Sequence, residues 1–224
     1  MTRLTFVIAD DHPLFRAALR EAVSRDMCVD IVEASSMDTV REAIEDHPEA
    51  DLILLDLHMP GSRGFTSLLY VRSKHPTIPV VIVSATEDTT IVQRAIDFGA
   101  SGFIRKSSSI ETINDAVRVV LDGGISAPPL PDTMAPSEVR DCETARRLST
   151  LTPHQLNVLF LLAEGHSNGE IATQLAVVEA TVKAHITPIL RKLRVRSRMQ
   201  AAILAQRLVH TGRARSVHNV DELE

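Results

Sequence analysis

The strongest constraint on this chain is a rhythm in its first 124 residues. Short apolar runs at 4–9, 29–34, 52–57, 80–83 and 102–104 alternate with stretches whose apolar residues recur at helical spacing. Leu14, Ala17, Ala18, Leu19, Ala22 and Val23 form one such stretch, between the first two runs. A strand wetted on one face alternates apolar with polar. Strand runs that are apolar throughout fit a parallel sheet covered on both faces. Five strand–helix repeats therefore predict a doubly wound α/β domain on a five-stranded parallel sheet. Its last helix is expected to start at Ser108, with Glu111 at the capping-box position ahead of Ile113, Ala116, Val117 and Val120. Asp122-Gly123-Gly124 stops it.

Residues 125–150 change character. Pro128, Pro129, Pro131 and Pro136 stand among Ser, Asp and Glu, which reads as a linker with an extended start; 137–148 is a candidate short polar helix. A compact helical unit follows over 151–212, with a polar tail at 213–224. Thr152-Pro153-His154-Gln155 combines an N-cap, Pro at the first helical position and Gln at the box position. Gly165 closes that helix, and three more helical segments are expected at 168–175, about 179–193 and about 198–209. A length of 224 residues accommodates one medium and one small domain.

Charge separates the halves. Residues 1–124 carry 12 Lys and Arg against 19 Asp and Glu, a balance of −7, whereas residues 151–215 carry 9 against 3, or +6. The basic half suits a polyanion, although chance variation in surface charge is the plainer reading of that asymmetry alone. No segment approaches 18 uninterrupted apolar residues, so no membrane span is expected. The N-terminus runs into a strand pattern without signal-peptide architecture. The two cysteines, Cys28 and Cys142, are far apart and in no metal-ligand spacing. A disulfide is disfavoured and a cytoplasmic address expected.

Polar groups gather where the strands end. Asp10-Asp11 closes the first, Asp56 the third and Ser84 the fourth, and Lys106 follows the fifth. Ligands of open parallel sheets sit outside the carboxyl ends of the strands, near the point where strand order reverses. Clustered carboxylates favour a hard divalent cation, most naturally Mg²⁺. Such an ion neutralises an incoming phosphoryl group, so that a carboxylate acts as nucleophile and forms an acyl phosphate. Lys106 would contact one phosphate oxygen and the Ser84 hydroxyl another. Singly, each residue has a plainer role: Asp10 or Asp11 as N-cap of a helix beginning at Pro13, Lys106 as a solvated loop lysine, Ser84 as a turn residue. Their convergence on one strand-end surface favours the chemical reading.

In the helical half, Lys183, Thr187 and Arg191 form a polar stripe at i, i+4, i+8. Val182, Ile186, Ile189, Leu190 and Leu193 form the opposite, buried side. A basic stripe on the second helix of a helix-turn-helix suits the major groove. Lys192, Arg194, Arg196 and Arg198 are placed for phosphates. Any one of them alone reads as a solvated surface charge.

Residues 1–124 resemble the receiver domain of two-component response regulators. The match is carried by Ala9-Asp10-Asp11-His12-Pro13-Leu14-Phe15-Arg16, Leu54-Leu55-Asp56-Leu57-His58-Met59-Pro60-Gly61 and Gly99-Ala100-Ser101-Gly102-Phe103-Ile104-Arg105-Lys106. The resemblance implies a flavodoxin-like fold with Asp56 as phosphoacceptor. It makes Asp11, Asp56 and the His58 backbone carbonyl ligands of Mg²⁺, with Asp10 acting mostly through water. It makes Lys106 the phosphate-contacting lysine and Ser84 with Phe103 a switch pair, the hydroxyl moving toward the phosphoryl group as the ring turns inward. Arg63 departs from the family, which often carries Asp there.

Residues 151–210 resemble the LuxR-type helix-turn-helix of the NarL/FixJ class. Leu151-Thr152-Pro153, Leu162-Ala163-Glu164-Gly165, Glu170-Ile171-Ala172, Thr181-Val182-Lys183, His185 and Ile189-Leu190-Arg191-Lys192-Leu193 are among the matching residues. This resemblance implies duplex DNA as ligand, with His185 among the contacts. A sensor histidine kinase, a second copy of the chain and RNA polymerase are the implied protein partners.

Four departures stand in this half. Val178 replaces the usual Ser cap of the recognition helix, Gly169 a usual Lys or Arg, and Gln155 a usual Glu. Pro188 lies inside the expected recognition helix, removes the bond to the Ala184 carbonyl and costs about 3 kcal/mol or more. It predicts either a kinked helix or a break at which Thr187 caps a new helix starting at Pro188. The last helix, with Met199, Ala202, Ile203, Ala205, Gln206 and Val209, either makes a dimer contact or completes the small core. The leading reading is thus a phosphorylation-switched transcription regulator and not an enzyme beyond its own phosphoryl transfer and slow autodephosphorylation. An adaptor with a decayed helix-turn-helix stands second. A phosphatase is third, since the chain offers no further general acid or substrate domain.

Overall fold

A computed structural model describes residues 3–62, 64–129, 143–144, 146–148 and 150–209 of the chain. Arg63, Cys142, most of the 125–150 linker and the 213–224 tail lie outside the described residues. Five parallel strands form one sheet: β1 (Leu4–Ala9), β2 (Val29–Ala34), β3 (Leu52–Asp56), β4 (Val80–Ser84) and β5 (Gly102–Arg105), in the order β2-β1-β3-β4-β5. The order reverses between β1 and β3, and there Asp10-Asp11 and Asp56 emerge side by side.

Side chains alternate across the sheet. Phe6, Ile8, Leu52, Leu54, Val81 and Val83 meet α1 (Pro13–Asp26) and α5 (Ile110–Leu121) on one face. Val7, Ala9, Ile53, Leu55, Val80 and Ile82 meet α2 (Met37–Asp46), α3 (Thr66–Lys74) and α4 (Thr89–Asp97) on the other. Two covered faces explain why the central strands are apolar throughout.

Local signals place the ends. α1 begins at Pro13 with His12 as N-cap and no side-chain cap bond, so neither Asp10 nor Asp11 caps it. α5 is capped by Ser109, whose hydroxyl accepts from the Thr112 N–H at 3.3 Å, one residue beyond the expected Ser108. Adjacent serines offer two equivalent caps, and the tertiary position of the helix chooses between them. Gly61, at φ +77° after β3, passes so close to α2 that an added Cβ would lie 3.2 Å from the Met37 Cβ.

The second half packs α6 (Pro153–Ala163), α7 (Asn168–Gln174), α8 (Glu179–Leu193) and α9 (Arg198–Val209). Thr152 and Gln155 form the expected capping box on α6, and Ser167 with Glu170 forms another on α7. α8 starts at Val178 without a side-chain cap bond and runs unbroken through Pro188. The break at Thr187 does not occur; packing of Val182, Ile189 and Leu193, all fully buried, holds the helix together despite the missing rung at Ala184. α9 shows two faces: Ala201 and Ala205 complete the core, whereas Met199 and Ile203 are exposed. Residues 143–144 and 146–148 are helical, and Leu148 is buried in the same core.

The halves touch where α3 packs against α6. Beside this contact lies a cleft of about 730 Å³ lined by Tyr70 and Arg41 on one side and His154 and Phe160 on the other. Among the described residues, no helix is long and apolar enough to cross a membrane.

Candidate functional site

The strand ends bring Asp10, Asp56 and Lys106 into contact. Asp10 and Asp56 follow β1 and end β3, and both are buried, with 1% and 2% of their side chains exposed. Lys106 reaches back from beyond β5, its backbone N–H tied to the Ser84 carbonyl at 2.8 Å. Its Nζ donates to Asp56 Oδ2 at 2.8 Å and makes a charge contact with Asp10 Oδ2 at 2.6 Å. The other Asp56 oxygen, Oδ1, accepts the His58 backbone N–H at 3.1 Å.

Two carboxylates facing one ammonium perturb each other. Burial pushes the Asp56 carboxyl above its ordinary value, outweighing the hydrogen bonds from Lys106 and His58. Burial pulls the Lys106 ammonium down, but the two carboxylates outweigh it and hold the group above the usual lysine value.

Four residues place donor atoms within 4.8 Å of one another: Asp10, Asp11, His12 and Asp56. Asp10 Oδ2 and Asp11 Oδ1 are buried, each in a charge contact at 2.6 Å, with Lys106 Nζ and His12 Nδ1 respectively. Anionic oxygens gathered this closely fit a divalent cation, and an oxygen-rich set fits a hard one. The sequence reading missed His12. Its Nδ1 lies 2.6 Å from Asp11 Oδ1 and 3.3 Å from Asp10 Oδ1, and its backbone N–H donates to Asp10 Oδ1 at 2.8 Å.

Ser84 ends β4, fully buried, with its Oγ accepting only a long 3.4 Å bond from the Thr86 N–H. Phe103 lies on the neighbouring strand, opposite Ile82 and 2% exposed, with its ring in the core on the α2–α4 side.

Two further residues of this neighbourhood went unassigned in the sequence. The Phe15 ring lies 4.8 Å from Lys106 Nζ, a cation–π contact. Arg16 Nη1 donates to the Asp10 backbone carbonyl at 2.6 Å. A signal for Arg16 existed: a cation in the first turn of a helix opposes the dipole and needs a tertiary partner.

In the helical half, Lys183, Thr187 and Arg191 are all exposed along α8, and Lys183 pairs with Glu179 at 3.0 Å. His185 is half-buried and stacks on His154 of α6, centroids 6.1 Å apart. Arg194 caps α8 at φ +54° and is exposed, as is Arg196. Lys192 and Arg198 also bond within the protein. Lys192 Nζ donates to the Thr150 carbonyl at 2.7 Å and to Gln155 Oε1 at 2.8 Å. Arg198 donates to the His166 carbonyl at 2.8 Å and to Asn168 Oδ1 at 3.2 Å. These two staple the fold, which spacing alone did not reveal.

Comparison with known proteins gives two family matches, a response regulator receiver domain over residues 6–118 and bacterial regulatory proteins of the luxR family over residues 149–205. The glycerol metabolism activator of Pseudomonas putida is 41% identical over 206 residues, covering 89% of this chain and 93% of that protein. The nitrate/nitrite response regulator protein NarP of Escherichia coli K12 is 34% identical, covering 91% and 94%. Among solved structures, the RcsB response regulator of Salmonella typhimurium aligns at a TM-score of 0.53 and 21% identity, over 92% of this chain and 99% of that one. At that identity the likeness speaks to fold alone.

Proposed function

Because the chain belongs to the response regulators that join a receiver domain to a LuxR-type DNA-binding domain, we propose that Asp56 is its phosphoacceptor and that α8 carries its DNA contacts. The family is regulatory and not classically enzymatic. The single observation behind the acceptor assignment is the meeting of Asp56, Asp10 and Lys106 at 2.6–2.8 Å in a buried pocket.

The chemistry follows from what each side chain holds. An oxygen of Asp56 attacks phosphorus, and the donor's leaving group departs in line. Lys106, freed from Asp56 as that carboxylate is phosphorylated, donates to a phosphoryl oxygen and stays paired with Asp10. Ser84, with its hydroxyl proton uncommitted to a strong partner, donates to a second oxygen, and Phe103 on the adjacent strand follows that shift inward. Asp10, Asp11, Asp56 and the His58 carbonyl would hold Mg²⁺, which would supply positive charge against the phosphoryl oxygens. The donor partner is a sensor histidine kinase, and slow hydrolysis of the acyl phosphate resets the protein.

On DNA, Lys183, His185, Thr187 and Arg191 face the groove, and Arg194 and Arg196 face the backbone. The internal bonds of Lys192 and Arg198 make them supports of that surface. A cytoplasmic, homodimeric form engaging RNA polymerase at the promoter belongs to the same proposal; the exposed Met199 and Ile203 of α9 support a contact between copies.

Acetyl phosphate tests the acceptor. Asp56→Asn is expected to abolish Mg²⁺-dependent labelling, and retained labelling means that another residue is the acceptor. The adaptor reading is favoured by the uncapped Val178 and by Pro188 inside α8. A steep salt dependence of duplex binding discards it.

A further inference from the structure

Arg16 stands in the first turn of α1 with no acidic residue beside it there. Its side chain is only 16% exposed. Nε donates to Glu33 Oε2 at 3.1 Å, and Nη1 to the Asp10 carbonyl at 2.6 Å. The second Glu33 oxygen accepts from Arg20 Nη1 at 3.1 Å. Glu33 lies on β2 opposite Ile8, and the Asp10 N–H bonds the Ala34 carbonyl at 3.0 Å. The guanidinium therefore bridges β2 to the point where β1 gives way to the acidic pair.

The position of that bond matters. The Asp10 carbonyl and the Asp11 N–H belong to one rigid peptide plane. Fixing the carbonyl fixes the directions in which the carboxylates on either side leave the backbone. Those are the carboxylates whose donor atoms lie within 4.8 Å of one another and of Asp56 at the strand end.

We propose that Arg16 is a positioning residue for the cation-binding carboxylates: its fork, anchored by Glu33, holds the Asp10–Asp11 peptide so that both side chains converge. The proposal rests on Asp10, Asp11 and Asp56 being the cation's ligands. It differs in sign from a simple charge effect. Arg16 is itself positive and repels a divalent cation. Were charge its whole contribution, Arg16→Gln would tighten cation binding; loss of positioning weakens it. Removal of an outer-shell partner costs metal sites about 10–100-fold in affinity, and an effect near the lower bound is expected here.

The experiment is a Mn²⁺ titration of the full chain followed by electron paramagnetic resonance, Mn²⁺ being a carboxylate-seeking stand-in for Mg²⁺. Arg16→Gln is expected to weaken binding about 10-fold. Arg16→Lys keeps the charge but cannot span two acceptors as a fork, and should also weaken it. That variant serves as the test if the glutamine form does not fold. Arg25→Gln, which removes the same charge from the far end of α1, should bind as the native chain does. Acetyl phosphate labelling of Arg16→Gln should return to near the native rate at saturating Mg²⁺. Equal or tighter Mn²⁺ binding by both Arg16 variants overturns the proposal, and so does a labelling defect that saturating Mg²⁺ leaves unchanged. A native chain that binds no Mn²⁺ overturns the reading of the acidic site, and this proposal with it.

Discussion

Lys106→Met is the sharpest test of the acidic pocket, because the side chain is nearly isosteric and only its charge is lost. Nζ lies 2.6 Å from one carboxylate oxygen and 2.8 Å from the other. At an effective dielectric of about 20, each attraction is worth about 6 kcal/mol before desolvation. The donor oxygens of Asp10 and Asp56 lie within 4.8 Å of each other. Their repulsion at that distance is about 3.5 kcal/mol on the same scale, and the lysine now offsets it. Removing one partner from a buried ion pair costs about 3–5 kcal/mol net, since desolvation has already cancelled much of the Coulomb energy. For a chain of this length that corresponds to a fall in Tm of roughly 10 °C. Far-UV circular dichroism on heating, with chelator and then with excess Mg²⁺, measures it. The variant should melt well below the native protein in chelator and gain more from Mg²⁺, because its site is more negative by one charge. A variant that melts within about 2 °C of the native chain in chelator would refute the reasoning, since the three groups would then be screened by water.

Two further outcomes are expected. Burial holds the Asp56 carboxyl above its ordinary value, so the folded state keeps a proton that the unfolded chain has released. Folded stability contributed by this group is therefore lost as pH rises from the unfolded carboxylate range through the raised value. Asp56→Asn cannot ionise, and its urea midpoint should rise relative to the native one over that window and keep the advantage at neutral pH; a constant difference from acid to neutral would contradict this. Pro188→Ala restores a donor for the Ala184 carbonyl and should stabilise the helical half by roughly 1–3 kcal/mol in thermal unfolding. It should also alter duplex affinity or site preference, and identical binding discards a role for Pro188 in groove fit.

Much of this was legible in the residues because burial leaves a direct imprint on composition. β1 and β2 fall where the apolar runs predict, and β3, β4 and β5 differ by a residue at one end. A strand covered on both faces tolerates almost nothing polar until its end, and the polar residues at or just beyond those ends form the candidate site. The buried side of α8 was legible for the same reason, from Val182, Ile189 and Leu193. What could not be read was the choice made by long cationic side chains. Lys192 and Arg198 look like phosphate contacts by spacing, yet each has backbone and side-chain acceptors brought within reach only by folding. Arg16 and Phe15 reach the pocket for the same reason, across β2 and β5. Such partners lie 17 residues apart for Arg16 and Glu33, 42 for Lys192 and Thr150, and farther still for Phe15 and Lys106, and no local pattern encodes them.

The place where α3 meets α6 has an experimental consequence. Tyr70 is the chain's one tyrosine, and there is no tryptophan. It stands on α3 under the Arg41 guanidinium, 5.1 Å from the ring centroid, and faces the cleft that Phe160 and His154 close from the other side. Intrinsic emission of the untagged protein therefore comes from a single fluorophore at the seam. Quenching by added iodide or acrylamide reads directly whether a phosphodonor parts the halves, without a dye, a cysteine variant or a second labelled copy.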